Sequence, residues 1–191
     1  MTYSLERETE LWRDGERVLL SVTIEFPLFA GISKAVKRIN KYYKQRNAKF
    51  TELCKRSLMK FNDGTQAALL SRVTFADNER VSVVSETSFS GHAESSRTAD
   101  VWSVADGSPV LLCDLLPGKS ERELRKTCAG EISRRLKTDP AMYYPDAGKR
   151  AARHFSTENV YLNAEGNAVI YYQQNTIAPR SAGFITIKIP T

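Results

Sequence analysis

Cysteine, histidine and long apolar runs are all scarce in this chain, and each scarcity excludes something. Three cysteines, Cys54, Cys113 and Cys128, are an odd number with no C-x-x-C spacing. A disulfide framework would leave one thiol over, and no paired-cysteine metal site can be written. Cys54 falls on the apolar face of a predicted helix and Cys113 follows Leu111-Leu112, so free, buried thiols acting as small hydrophobes are the expectation. The two histidines, His92 and His154, stand far apart, with no H-E-x-x-H and no partner at helical spacing; no metal and no other cofactor is expected. There is no G-x-S-x-G and no glycine-rich phosphate loop, which speaks against a catalytic protein. Asp100, Asp106 and Asp114 fall on predicted strands and turns, and turn chemistry alone accounts for Asp106 in Asp-Gly.

No window approaches the roughly 18 apolar residues of a membrane span, and Met1 to Glu8 has neither an apolar core nor a cleavage signal. As written, the chain is expected to be cytoplasmic, and extracytoplasmic if a leader or anchor precedes it. Hydrophobic residues at 41% and charged residues at 26% are ordinary values for a folded domain rather than a disordered one. Negative charge is in deficit: 22 acidic residues face 28 basic ones, a net +6 that suggests an acidic partner. Much of the excess lies between Lys34 and Lys60, where ten cations accompany Glu52 alone. This stretch is either a solvated helix face or a surface for nucleic acid or another polyanion through Lys37, Lys41, Lys44 and Arg56, with Tyr42 and Tyr43 nearby.

Tyr3 to Arg13 alternates apolar and charged residues, and Val18, Leu20, Val22, Ile24 and Phe26 share one face after Asp14-Gly15, so a hairpin closed by a type I′ turn is predicted. Pro27 and Gly31 end it, and Ser33 is placed to cap a helix. Ile32, Val36, Ile39, Tyr43, Phe50, Cys54, Leu58 and Phe61 then recur at spacings that draw one apolar stripe, closed at Asn62-Asp63-Gly64. Strands are predicted at 67–76, 80–89 and 98–104, with Asp106-Gly107 turning the chain toward Pro109 to Leu112. Ser120-Glu-Arg-Glu123 is a capping box opening a second long helix to Lys137. Asp139-Pro140 interrupts it, Asp146 to His154 resumes as a short helix, and three strands close the chain at 159–162, 168–173 and 184–189. The order favours an α+β fold in which antiparallel sheet packs with two long helices, in two similar halves, 1–92 and 93–191, forming one compact unit.

The run from Val160 to Pro190, with Ile177-Ala178-Pro179, Ala182-Gly183 and a last strand ending in proline, resembles the closing segment of the domain of unknown function in the extracellular part of RsiV-type anti-sigma factors. Phe89-Ser-Gly-His-Ala93 and Val101 to Leu116 are similar to that family's histidine turn and its strand-turn-strand. Pro27 to Asn40 looks like the N-terminal companion domain shared with the deacetylase PdaC. The resemblance implies a non-catalytic binding or sensor module for a protein or cell-envelope ligand; in RsiV this region is a receptor for lysozyme.

Ligand contacts are then expected at the turn holding Ile177, Pro179 and Arg180, with Arg180 standing where relatives often carry an aromatic and favouring a more acidic target. His92 in its glycine turn and the aromatic pair Tyr143 and Tyr144 are further candidates, since aromatics carry binding energy out of proportion to number. Each has a plainer reading: Ile177 and Pro179 locking a hairpin, and His92 bonded to the backbone of its turn. Of Tyr171 and Tyr172, one must face the core if the strand alternates, so only one of the two can be exposed.

Overall fold

The computed structural model describes residues 1–57, 64–91 and 95–189. It is an α+β fold with two sheets. In the larger, β1 (Tyr3–Asp14), β2 (Arg17–Phe29), β3 (Thr65–Ala76), β4 (Arg80–Phe89) and β5 (Ser96–Ser103) lie side by side in chain order. Between β2 and β3 runs α1 (Lys34–Arg56). Ser33 caps it by accepting a hydrogen bond from the Val36 N–H at 3.2 Å, and Ser57 closes it. Leu58 and Phe61, expected on the same stripe, and Asn62 and Asp63, expected to end it, lie outside the described residues.

Two corrections follow from the strand pairing. The sheet is mixed, because β2 and β3 pair parallel, Leu20 opposite Thr65 through Glu25 opposite Leu70. A long helix between neighbouring strands carries the chain back to its starting end, and the next strand then runs in the same direction, as a hairpin cannot. The first turn is Gly15-Glu16 rather than Asp14-Gly15, with Asp14 opposite Arg17. Only Gly15 of the two has positive φ, at 57°, which fits a II′ turn and not the I′ turn predicted.

Val36, Ile39, Tyr43, Phe50 and Cys54 of α1 pack on the sheet, against Leu20, Val22 and Ile24 of β2, Ala67 and Leu69 of β3 and Val81 and Val83 of β4. The leucines of β1 do not join them. Trp12 is the β1 residue on the α1 side, so Leu5 and Leu11 point to the opposite face, where they are half exposed together with Leu70 of β3.

Over β4 and β5 that opposite face is covered by the smaller, antiparallel sheet of β6 (Val160–Leu162), β7 (Ala168–Tyr172) and β8 (Ile185–Ile189). The Leu162 N–H donates to Ser82 Oγ at 3.0 Å, joining the two sheets. Beyond the small sheet lie α3 (Glu121–Thr138) and α4 (Ala147–Arg153), preceded by the short α2 (Leu112–Leu115). The strand system has stopped by α2, which Leu116 closes. The capping box is formed in full: Ser120 Oγ accepts from the Glu123 N–H, and the Ser120 N–H donates to Glu123 Oε2 at 2.8 Å. Leu124, Cys128 and Ile132 bury one face of α3 against Ile170, Tyr172 and Ile187.

Because β7 is covered on both faces, alternation does not expose either tyrosine. Tyr171 donates to the Arg97 carbonyl of β5 and Tyr172 to the Ala151 carbonyl of α4, and both are buried.

Cys54 and Cys128 are buried as expected, whereas Cys113 is exposed on α2. It falls between Leu112 and Leu115, which hold the inward face of that short helix. Burial pushes the Cys54 and Cys128 thiols up to about 11, so neither is a ready nucleophile. With a thiol reagent at neutral pH, only Cys113 is expected to react in the native protein, and all three once it is unfolded. Rapid native labelling of Cys128 would contradict the packing of α3.

Candidate functional site

β5 is the last strand of its sheet, and its outer edge is the feature from which a site can be built. The Val101 carbonyl accepts from the Val110 N–H at 2.7 Å and the Ser103 N–H donates to the Ser108 carbonyl at 2.9 Å. Odd-numbered residues of β5 therefore turn their backbone groups away from β4, as alternation in an antiparallel ladder requires. Arg97 obeys the same parity: its N–H donates to Gln173 Oε1 at 3.0 Å and its carbonyl accepts from Gln173 Nε2 at 2.6 Å.

Along this edge runs a cleft of about 740 Å³. One wall is β5 from Arg97 to Val101, another the segment Pro109 to Cys113, and the remainder comes from the start of α3, the 157–160 loop and β7. Leu111 is 59% exposed on its rim, an apolar side chain for which the core has no use. Leu124 and Tyr171 contribute buried apolar surface deeper in, while Lys119, Glu121 and Glu158 bring both signs of charge.

The α1 side of the edge carries a polar network. Asp100 accepts from the Tyr42 hydroxyl at 2.9 Å, from Tyr43 at 3.3 Å and from Arg46 Nη1 at 3.3 Å. Trp102 Nε1 donates to the Tyr43 oxygen at 2.9 Å. Arg46 lies 4.7 Å from the centre of the Tyr43 ring and donates to Ser71 Oγ at 2.8 Å, a cation–π arrangement that replaces lost hydration. Burial pushes the Asp100 carboxyl above its ordinary value, opposed by Arg46 and the two tyrosines. Tyr42 is pushed up to about 12 by burial and by the Asp100 charge. Both hydroxyls thus stay protonated donors at neutral pH. Tyr42 and Asp100 reach the cleft wall, so the network fixes that wall rigidly.

Among the described residues, no group of three or more His, Cys, Asp or Glu is placed to hold a metal ion, and no helix is long and apolar enough to cross a membrane.

The residues singled out from sequence are scattered. Ile177 and Tyr143 are buried in the core around β7, which removes both from any contact surface: the aromatic pair splits, Tyr143 inward and Tyr144 outward. Tyr144 is half-buried, donates to Asn175 Oδ1 at 2.5 Å, and lies under the Arg150 guanidinium. Pro179 is half-buried and Arg180 exposed, at the start of the short 3-10 turn Arg180–Ala182. His92 lies outside the described residues. Lys37, Lys41 and Lys44 stand on the exposed face of α1, and Arg56 pairs with Glu52 at 3.1 Å. Among the described ones, none lines the cleft.

Residues 114–191 match the family model described as protein of unknown function, DUF3298. No curated protein matches the chain. Two crystal structures resemble its fold across nearly the whole length. A DUF3298 family member from Bacteroides fragilis NCTC 9343 is 14% identical, with a TM-score of 0.65 over 98% of this chain and 90% of that one. A DUF3298 family protein from Pseudomonas aeruginosa PAO1 is 18% identical, with a TM-score of 0.65 over 99% and 89%. The likeness therefore extends to the strands and helix that precede the DUF3298 segment.

Proposed function

We propose that this protein is a non-catalytic binding or sensor module of the RsiV-ectodomain type, whose protein or cell-envelope ligand docks in the cleft beside β5. The observation that carries the reading is the cleft itself, a concavity of about 740 Å³ with an exposed leucine on its rim and a hydrogen-bonded network behind one wall. Ligand sites are commonly concave, largely apolar and furnished with a few fixed polar groups. Of the polar groups that form the network behind that wall, neither the tyrosine nor the arginine is an activated nucleophile or base. The Tyr42 hydroxyl is held protonated, and the Arg46 side chain is committed to Asp100 and Ser71.

Lysozyme and soluble peptidoglycan fragments are the probes, tested by calorimetry on wild type, on Leu111→Arg and on the combined Lys37→Glu, Lys41→Glu, Lys44→Glu variant. One of the two probes is expected to bind, to lose about tenfold or more in affinity with Leu111→Arg, as at a hot spot, and to be indifferent to the α1 variant. Binding that Leu111→Arg leaves untouched would remove the cleft as the site.

A second reading, a polyanion binder acting through α1, draws on the exposed stripe of Lys37, Lys41 and Lys44. It requires single-stranded DNA to bind, to weaken steeply between about 50 and 200 mM salt as counterion release dictates, and to be lost in the α1 variant.

A further inference from the structure

We infer that the occupant of the cleft is an extended peptide that adds to β5 as a short strand, pairing with the backbone of Ala99. This rests on the cleft being the binding site and goes on to name the chemistry of its ligand. Arg97, Ala99 and Val101 present their N–H and C=O groups to the same edge, by the parity already described. At Arg97 the Gln173 side-chain amide takes the place of a peptide unit, donating and accepting at once. At Val101 the carbonyl is taken by the Val110 N–H. Between them, among the described residues, nothing pairs with the Ala99 N–H and C=O, although Ala99 forms part of the cleft wall.

Elsewhere the fold closes such an edge with an amide. Asn40 does for Phe29 of β2 what Gln173 does for Arg97, accepting from the Phe29 N–H at 3.0 Å and donating to its carbonyl at 2.9 Å. The vacant position at Ala99 therefore fits a group that donates and accepts with the geometry of a peptide unit. With Arg97 and Val101 already paired, one residue of an extended peptide is matched there, and main-chain pairing at a sheet edge is an established route to peptide affinity. Leu111, Leu124 and Tyr171 beside it offer apolar surface, so the peptide residue facing Ala99 is flanked by an apolar side chain. With Lys119, Glu121 and Glu158 of both signs along the cleft, strong net charge on the peptide is not demanded. An N-acetylated glycan also carries secondary amides, but its hydroxyls would be left without partners against the apolar surface of Leu111, Leu124 and Tyr171.

Peptides selected from a random displayed library on wild type are synthesised and measured by calorimetry on wild type, Ala99→Pro, Ala99→Ser and Leu111→Arg. Ala99→Pro removes an N–H that faces away from β4, where an edge strand tolerates proline, and its thermal melt checks the fold. The expected result is a loss of about tenfold or more with Ala99→Pro and with Leu111→Arg, and retained affinity with Ala99→Ser. In the wild-type protein, hydrogen exchange at the Ala99 amide is expected to slow about tenfold or more when peptide binds, a readout that does not depend on the proline variant folding. Undiminished affinity in a folded Ala99→Pro protein, or unchanged exchange at Ala99, overturns the inference. If no peptide is enriched while peptidoglycan fragments bind and are blocked by Leu111→Arg, the peptide inference fails and the cleft reading stands. If neither peptide, peptidoglycan fragment nor lysozyme binds, both fail.

Discussion

Arg46→Met is expected to destabilise the protein by about 3 kcal/mol at neutral pH, the loss typical of leaving one member of a buried ion pair without its partner. Arg46 and Asp100 are both largely buried, with side-chain exposures of 18% and 17%. Among the described residues the guanidinium is the one cation bonded to this carboxylate, whose other partners are the hydroxyls of Tyr42 and Tyr43. The pH dependence has a definite sign. Burial, the largest influence on Asp100, raises its folded-state pKa above the unfolded one, and Arg46 acts against it. A group raised in this way contributes stability that is fully present below the ordinary carboxylate range and is lost as pH rises through the folded value. Removing Arg46 raises the carboxyl further, so the penalty should be small in acid and grow toward neutrality. Urea unfolding at about pH 4 and pH 8 measures it. Equal losses at both would show that Arg46 contributes packing over Tyr43 and not charge. The double variant Arg46→Met, Asp100→Leu should recover much of the stability, since a well-packed apolar pair can replace an ion pair.

That pair also marks where the sequence was legible and where it was not. Periodicity placed both long helices, because caps and stripes are local: Ser33 and Ser120 each bond a backbone N–H three residues on. Arg46 was counted among the solvated cations of a basic helix, yet the apolar stripe skips from Tyr43 to Phe50, and a helix face cannot be vacant for seven residues. Arg46 and Asn47 occupy that gap and point inward. A charged residue interrupting a stripe is the local signal for a buried partner, although nothing local identifies the partner as Asp100, more than fifty positions away.

The misreadings elsewhere share a cause. Alternation says that a strand has two kinds of face, not which face another layer covers, so it leaves open that Leu5 and Leu11 end half exposed while Tyr171 and Tyr172, on opposite faces of β7, both end buried. The outcome was decided by where the three-stranded sheet settles, over β4 and β5 and not over β1 and β2. The cleft is hidden for the same reason. Its walls come from α1, β5, the 109–113 segment, the start of α3 and β7, which no motif spans. The turn at Ile177 to Arg180 attracted attention because its residues are consecutive. Ile177 and Ala178 are 0% and 2% exposed, so they close the core, while Pro179 is half-buried and Arg180 exposed.

Gly107→Ala is expected to cost about 3 kcal/mol, for two reasons that can be separated. Gly107 has φ of 68°, a left-handed conformation that costs a residue with a Cβ about 1–2 kcal/mol. A Cβ built there would also stand 2.7 Å from the Ala35 carbonyl oxygen and 2.9 Å from Ala35 Cα. These are backbone atoms in the first turn of α1, which cannot rotate aside, and overpacking of this kind costs about 1–3 kcal/mol more. Gly118 supplies the control, since it too has positive φ, at 82°, but a Cβ there would meet nothing within 4 Å. Gly118→Ala should therefore show only the conformational cost, about 1–2 kcal/mol. The larger loss at Gly107 should lower the melting temperature by roughly 10 °C for a chain of this size. The consequence reaches the cleft as well. The segment after Gly107 carries Pro109, Val110 and Leu111, and the Val110 N–H holds it to β5 through the Val101 carbonyl. Pushing Gly107 away from α1 displaces the rim that Leu111 forms, so Gly107→Ala should weaken cleft ligands at temperatures where the variant is still folded, whereas Gly118→Ala should not. Equal destabilisation by the two substitutions would show that the close approach of Gly107 to α1 carries no strain.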